Sequence, residues 1–203
     1  MRRYPRVRAL VAEGSTSSLL PRLANGQLEL VVVHLPVDDP DLRVEPLFAE
    51  DLVVLVHRSH PLSDHDELPL KAIAAHPLLL PPPGTALRRI IDRAAHNVGV
   101  TLRAQAEIDG VRLLSSLAFD GYGATIVPAT AVPKWVGDFH RVRVPELPQR
   151  VVGCAYRRRP GLSPPARAAL EVMREVVATR GERQPGVHVD NVVPLTGRGG
   201  ALL

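Results

Sequence analysis

Aromatic residues are scarce in this sequence, in which phenylalanine, tyrosine and tryptophan together make up 3% of the chain. Proteins that hold single-stranded nucleic acid commonly stack its bases on aromatic rings, so this class of function is disfavoured. Hydrophobic residues nevertheless reach 45%, and a length of 203 residues is enough for one large domain or two small lobes. The core must therefore be built from leucine, valine, isoleucine and alanine.

Cysteine and lysine are also rare. Cys154 is the only cysteine, which excludes an internal disulfide, fits a reducing compartment and predicts a small buried side chain. Lys71 and Lys134 are the only lysines, so arginine carries nearly all of the positive charge behind a net charge of +4. The arginines are scattered apart from the run 157–159, which we interpret as a solvated strand end. This distribution does not predict a nucleic-acid-binding face.

Long hydrophobic runs are missing from the sequence as well. No apolar stretch approaches the roughly 20 residues that a transmembrane helix needs. The charged residues 1–8 are not followed by the apolar segment that is typical of a signal peptide. We therefore expect a cytoplasmic protein without a membrane partner.

The hydrophobic pattern alternates short β-rich runs with helical runs, which indicates an α/β fold with largely parallel sheets. Helices are predicted to begin at Ser15 or Thr16, at Pro69, at Thr85, at Val111 and at Ser163. The predicted strands are 7–12, 28–33, 44–48, 52–56, 77–80, 102–108, 124–127, 139–144 and 151–156.

The order of these elements predicts two lobes. The first comprises residues 1–58 and 137–178, the second comprises residues 59–136, and the polar segment 57–67 is a candidate connection between them. Residues 179–203 are rich in glycine, proline and polar residues without periodicity, and they are predicted to form a disordered tail. Lobes of this kind commonly bind ligands in a cleft outside the carboxyl ends of their strands.

Several segments resemble the effector-binding domain of LysR-type transcriptional regulators. The segments that carry the resemblance are Glu13-Gly14-Ser15-Thr16, Asn25-Gly26-Gln27-Leu28-Glu29-Leu30, Glu45-Pro46-Leu47, His60-Pro61-Leu62 and Gly121-Tyr122-Gly123-Ala124-Thr125-Ile126-Val127-Pro128. Each segment is a weak mark by itself. Their order and their spacing along residues 2–177 make the resemblance specific.

This resemblance implies a periplasmic-binding-protein-like fold with two Rossmann-like lobes and a ligand cleft between them. It implies a sensor of a small-molecule effector, often a carboxylate, with no enzymatic activity and no cofactor. DNA is expected to be bound only through a winged helix-turn-helix domain that lies outside this chain, in a homodimer or tetramer. The first strand and most of the first helix of the family's domain have no counterpart here. We therefore expect Met1 to be an internal start or the gene to be truncated.

Two predicted helix starts are candidate effector contacts. Ser15 and Thr16 begin one helix, where free backbone N–H groups and the positive dipole end suit a carboxylate or a phosphate. Pro83, Gly84 and Thr85 begin another, and Gly84 lets the backbone approach a ligand closely. An ordinary N-cap is the alternative interpretation of both sites.

Two further candidates lie at ends of predicted elements. His34 follows the apolar strand 28–33 and either hydrogen-bonds the effector or is a satisfied histidine at a strand end. Gly121, Tyr122 and Gly123 either line the cleft or only end a helix and form a turn.

Two other function classes stay open at this point. A stand-alone solute-binding protein would have the same clamp. An enzyme on this scaffold is less favoured, because residues 14–18 do not form a nucleophile elbow and no third glycine follows Gly121 and Gly123. The histidines at 57, 60 and 65 lack the accompanying cysteine and the helical spacing of a metal site, so we predict no metal and a solvated loop there.

Overall fold

Helices and strands alternate along the chain in the computed structural model, which describes residues 3–132 and 137–190. The α/β class predicted from the sequence is confirmed. The helices are α1 (Thr16–Ala24), α2 (Leu70–Ile73), α3 (Ala86–Asn97), α4 (Val111–Phe119) and α5 (Pro164–Arg180). The strands are β1 (Val31–His34), β2 (Leu42–Glu50), β3 (Leu52–His57), β4 (Leu78–Leu80), β5 (Ala104–Glu107), β6 (Ala124–Pro128), β7 (Phe139–Arg143), β8 (Arg150–Arg157) and β9 (Val187–His188). No helix in the described ranges has both the length and the apolar character that crossing a membrane requires.

The chain divides into two units. Within the described residues, the first unit comprises 3–49, 151–182 and 188–190, and the second comprises 50–150 and 183–187. The boundaries predicted from the sequence lay between residues 58 and 59 and between residues 136 and 137. Strands β3 and β7 lie in the second unit because β3 is hydrogen-bonded to both β6 and β7 in its sheet. The polar segment 57–67 consequently lies inside the second unit and does not connect the two.

The first unit is built around a four-stranded sheet with the order β1-β8-β2-β9. Helix α1 packs on this sheet through Leu19 and Leu23, which lie one helical turn apart and are buried with Val31 and Val33 of β1. Strands β1 and β8 are antiparallel. The prediction of largely parallel sheets is therefore wrong for this pair.

The strand predicted at residues 7–12 is not formed. Residues 7–15 have no regular secondary structure, and the side chains of Leu10 and Val11 are 81% and 85% exposed. A strand is stable only when its backbone groups pair with a neighbour, and no described strand pairs with this segment. The apolar residues of this run are suited to a strand, but the partner that a strand requires is not among the described residues.

The second unit is a five-stranded mixed sheet with the order β5-β4-β6-β3-β7. Strand β4 is parallel to β5 and β6, whereas β3 is antiparallel to β6 and β7. Residues 52–56 of β3 are all buried, since alternate side chains enter two different cores. Leu52, Val54 and Val56 pack with helices α2 and α3, while Val53 and Leu55 pack with α4. Helices therefore cover both faces of this sheet.

The described residues after α5, 181–190, contain regular structure, whereas the sequence predicted a disordered tail over 179–203. A 3-10 turn at Gly181–Arg183 leads into β9, and Val187 is buried. The buried amide of Gln184 donates to the carbonyl oxygens of Ala129 at 2.9 Å and Val132 at 3.1 Å. These long-range bonds leave no periodic pattern in the sequence, which is why the prediction missed them. The remainder of the predicted tail, 191–203, lies outside the described residues.

Candidate functional site

Helix α1 begins as the sequence predicted, with Ser15 as its N-cap. The Ser15 Oγ accepts a hydrogen bond from the Ser18 backbone N–H at 3.2 Å and lies 2.9 Å from the Ser17 Oγ. The Ser18 hydroxyl donates to the Ser15 carbonyl oxygen at 2.9 Å, and Thr16 is the first helical residue. Three hydroxyl groups and the first-turn backbone N–H groups thus surround one helix N-terminus, an arrangement suited to binding an anion.

Helix α3 begins in the same way in the second unit. The Thr85 Oγ1 accepts from the Arg88 backbone N–H at 3.3 Å and donates to the Pro82 carbonyl oxygen at 2.9 Å. Gly84, which follows Pro83, has a φ of +82°, a left-handed conformation that favours glycine, and no atom lies within 4 Å of where its Cβ would be. The backbone here is therefore open to close approach from solvent.

The first turn carries no negative charge in any of the five described helices α1–α5, the two candidate helix starts included. Neither α1 nor α3 has an acidic residue in its first turn, where a negative charge would stabilise the helix dipole. The first turn of α3 instead carries Arg88 and Arg89, and the Arg89 guanidinium donates to the Gly84 carbonyl oxygen at 2.7 Å. The Arg88 guanidinium is already paired with the Asp92 carboxylate at 2.8 Å and the Glu107 carboxylate at 3.5 Å. Arg88 and Arg89 were not among the site residues predicted from the sequence, although their place directly after a helix cap was a usable signal.

The loop before α3 lies at the carboxyl edge of the second unit's sheet, since it follows β4. The residues Gly121, Tyr122 and Gly123 precede β6, which is parallel to β4 and in register with it through Leu79 and Thr125. They consequently lie at the opposite edge. Parallel strands present their amino ends together, so the fold does not bring this glycine pair beside Thr85.

The glycine pair has a structural role where it lies. Gly121 and Gly123 have φ angles of +80° and +154°, and a Cβ on Gly123 would lie 3.2 Å from the Gln105 Oε1. Gln105 donates to the Tyr122 carbonyl oxygen at 3.1 Å, while the Tyr122 side chain is 62% exposed. These contacts fit the alternative interpretation of a helix stop and a turn.

His34 is the last residue of β1 and is half-buried, opposite Val152 of β8. Since it lies at the carboxyl end of a strand against which α1 packs, it stays a candidate contact in the first unit. The histidines of the 57–67 segment are engaged locally: the His60 Nδ1 accepts from the Leu62 backbone N–H at 3.2 Å. No cluster of metal-ligating side chains occurs within the described ranges.

A buried ionic cluster at the carboxyl edge of the second unit's sheet was missed by the sequence analysis. Glu50 is 1% exposed and Arg150 is 7% exposed, and the Arg150 guanidinium donates to the Glu50 Oε1 at 2.8 Å. The Thr130 hydroxyl donates to the other carboxylate oxygen at 2.7 Å. Burial lowers the pKa of Arg150, and the neighbouring Glu50 carboxylate opposes that shift. The pairing joins residues that are distant in sequence, and no local pattern indicates it.

The family model of the LysR substrate binding domain matches residues 1–178 of the chain. The chain belongs to the LysR family. This match extends over both units and includes the start of α1, the start of α3 and the Glu50–Arg150 pair. The resemblance stated from the sequence segments is confirmed.

The match to a curated LysR relative covers only part of that relative. The protein named "Probable hydrogen peroxide-inducible genes activator" of Mycobacterium leprae is 30% identical over 190 residues. The alignment covers 87% of this chain and 58% of that protein. The chain therefore spans little more than half the length of this relative.

Solved structures of LysR domains share the fold. The regulatory domain of CcmR from Synechocystis PCC6803, in complex with 2-PG, has a TM-score of 0.76 at 20% identity, covering 88% of this chain and 87% of that one. The effector binding domain of QuiR in complex with shikimate has a TM-score of 0.67 at 22% identity, covering 80% and 78%. These likenesses confirm the periplasmic-binding-protein-like, two-lobe fold that the sequence predicted.

Proposed function

We propose that this chain is the effector-sensing module of a LysR-type transcriptional regulator and that its effector is a small carboxylate. The observation that carries the proposal is the family match over residues 1–178, and the effector contacts are assigned to the helix starts at Ser15 and Thr85, each of which is capped by a hydroxyl group. Thr16, His34, Pro83 and Gly84 complete the proposed contacts. Gly121–Gly123 are left out because they lie at the opposite edge of their sheet.

Family membership favours this function over the two alternatives. A stand-alone solute-binding protein and an enzyme share the scaffold, but the LysR relatives are transcriptional regulators. Shikimate, the ligand in the QuiR structure, is itself a carboxylic acid. Binding of DNA, assembly as a dimer or tetramer and a cytoplasmic location are proposals for the whole regulator, of which this chain matches a part.

Sensing of a metabolite is favoured over sensing of peroxide, although the Mycobacterium leprae relative is named a peroxide-inducible activator. A thiol sensor needs an accessible thiolate, and an internal disulfide needs two cysteines. The 203-residue sequence has one cysteine, Cys154, which is fully buried in β8 opposite Val32. Burial raises the pKa of its thiol to about 11, and the Glu45 carboxylate adds to that shift.

The Cys154 thiol is therefore expected to be inert in the native protein. At pH 8 a thiol with a pKa of about 11 is almost entirely protonated, so its reaction with 5,5′-dithiobis(2-nitrobenzoate) should be on the order of a hundredfold slower than that of a free cysteine. The same protein in denaturant should release one equivalent of chromophore. Rapid modification of native protein, or oxidation of Cys154 by stoichiometric peroxide in a mass spectrum, would restore the peroxide-sensing hypothesis.

A thermal-shift screen of the purified chain against small carboxylates tests the proposed function. A ligand that binds only folded protein adds about 2.7 kcal/mol of stability at a hundredfold excess over its Kd. The ligand-induced shift should be lost or strongly reduced in Thr16→Val and in Thr85→Val, because each variant removes a hydroxyl from a proposed contact. The quantity compared is the shift on adding ligand, since loss of the Thr85 cap lowers stability by about 1 kcal/mol without ligand.

Ser163→Ala is the matched control for this screen. Ser163 caps α5 by accepting from the Ala166 backbone N–H at 3.4 Å, and it is not a proposed effector contact. The variant should melt at a lower temperature but keep the full ligand-induced shift. A shift that survives in both threonine variants would refute the assignment of the effector to these helix starts.

A further inference from the structure

A cavity of the first unit lies among β2, β8 and α5. Its volume is about 600 Å³, which is within the usual range for small-molecule sites. Its walls are charged and its floor includes the buried Leu170. The lining residues are Arg43, Glu45, Tyr156, Arg158, Gly161, Leu162, Arg167, Leu170, Glu171 and Arg174.

One wall of this cavity is a closed network around Glu45. The Tyr156 hydroxyl donates to the Glu45 Oε1 at 2.6 Å, and the Arg174 guanidinium donates to its Oε2. Partial burial raises the pKa of Glu45, but the hydrogen bonds from Tyr156 and Arg174 outweigh burial and hold it below the ordinary value. The charges of Glu45 and Arg174 therefore neutralise each other within the protein, and both side chains are held in place.

The other arginines have unused hydrogen-bonding capacity. The Arg158 Nε donates to the Leu42 carbonyl oxygen at 3.0 Å, which orients its guanidinium. Arg43 approaches Glu45 only at 3.9 Å. The Arg167 side chain makes no hydrogen bond or ion pair with any residue in the described ranges. With Glu171 as the one remaining acid in the lining, the cavity carries a surplus of positive charge, which comes from Arg43 in β2, Arg158 directly after β8 and Arg167 in α5.

We propose that this cavity binds a small dicarboxylate, at a site separate from the effector contacts described above. Guanidinium groups pair with carboxylates through two parallel hydrogen bonds, and arginines from separate elements can each hold one end of such an anion. Leu162 and Leu170 offer an apolar surface for the carbon chain between the carboxylates. The volume of the cavity, and its formation within one unit, favour a small molecule over a nucleic acid or a protein segment.

Isothermal titration calorimetry with succinate in a low-ionic-strength buffer tests the proposal. Saturable binding of one succinate per chain is expected at the cavity. Arg167→Gln should weaken this binding by roughly tenfold or more, because the variant lacks one charged side chain that would donate hydrogen bonds to the ligand. The variant loses no internal contact among the described residues, so its melting temperature should match that of the unmodified chain.

The control is Arg93→Gln, an exposed arginine on α3 whose replacement changes the net charge equally. Its affinity for succinate should stay within about twofold, which separates a local contact from general attraction of anions. Thr16→Val and Thr85→Val should bind succinate as tightly as the unmodified chain. Loss of binding in a threonine variant would show that succinate binds at the proposed effector contacts, and it would refute this cavity as the succinate site.

Three other outcomes would also overturn the proposal. They are the absence of saturable succinate binding, an equal loss in Arg93→Gln and Arg167→Gln, and tight binding of inorganic phosphate without binding of succinate. The effector proposal does not depend on any of these results, because its own variants lie in other elements.

Discussion

Arg150→Met is expected to lower the free energy of unfolding by about 3–5 kcal/mol, because it leaves the Glu50 carboxylate buried without its cation. Glu50 is 1% exposed, and its remaining partner is Thr130, through the hydroxyl at 2.7 Å and the backbone N–H at 3.3 Å. Neutral hydrogen bonds of this kind do not replace an ion pair in a region of low dielectric constant. The measurement is equilibrium unfolding in urea at pH 7.

The double variant Glu50→Leu/Arg150→Met shows whether the loss comes from the uncompensated charge. It should recover most of the lost stability, since an apolar pair of similar volume commonly replaces a buried ion pair without penalty. Arg143→Met is the control, because Arg143 and Glu67 form an exposed pair with side chains 67% and 49% accessible. Such a pair contributes less than about 1 kcal/mol. Equal losses for Arg143→Met and Arg150→Met would contradict the argument from burial.

Gly153→Ala is expected to destabilise the first unit by about 2 kcal/mol through overpacking. A Cβ on Gly153 would lie 2.7 Å from the backbone oxygen of Glu45 and 3.2 Å from the Leu35 Cδ1. The strands β2 and β8 would have to move apart to accept it, since the nearest obstacle is backbone. The same movement would disturb the Tyr156–Glu45 hydrogen bond, so binding of succinate should weaken in parallel.

Gly14→Ala provides the contrast for this prediction, again by urea unfolding. A Cβ on Gly14 would lie even closer to a neighbour, at 2.5 Å, but that neighbour is the Ser18 hydroxyl. The Ser18 hydroxyl can rotate away, which breaks one exposed hydrogen bond. The free energy of unfolding is therefore expected to fall by less than about 1 kcal/mol. A larger loss for Gly14→Ala than for Gly153→Ala would show that contact distance alone, and not the rigidity of the neighbour, decides the outcome.

Local signals account for the parts of the candidate site that could be predicted. Ser15, Thr85 and Ser163 were identified as helix starts, and each is an N-cap in the structure. A cap depends on one side chain and the backbone three residues later, so a short stretch of sequence contains all the information required. The effector contacts proposed at α1 and α3 rest on these same residues.

Interactions between distant segments account for what could not be predicted. Glu50 and Arg150 were not among the residues singled out from the sequence, and the run 157–159 was predicted to be a solvated strand end. In the structure β8 ends at Arg157, and Arg158 and Arg159 are exposed as predicted, but the half-buried Arg157 donates to the carbonyl oxygens of Leu23 in α1 and of Leu28. The placement of Gly121–Gly123 away from Thr85 likewise depended on which strands lie parallel, a property of the assembled sheet.

The sequence by itself determined the family, the class of fold and the starts of α1, α3 and α5, because motifs and caps depend on neighbouring residues. Only the tertiary structure decided that residues 7–12 form no strand, that β3 and β7 belong to the second unit and that four arginines line one cavity. The physical reason is that strand pairing, charge burial and cavity formation each require partners that are far apart in the chain. No local pattern identifies those partners before the chain has folded.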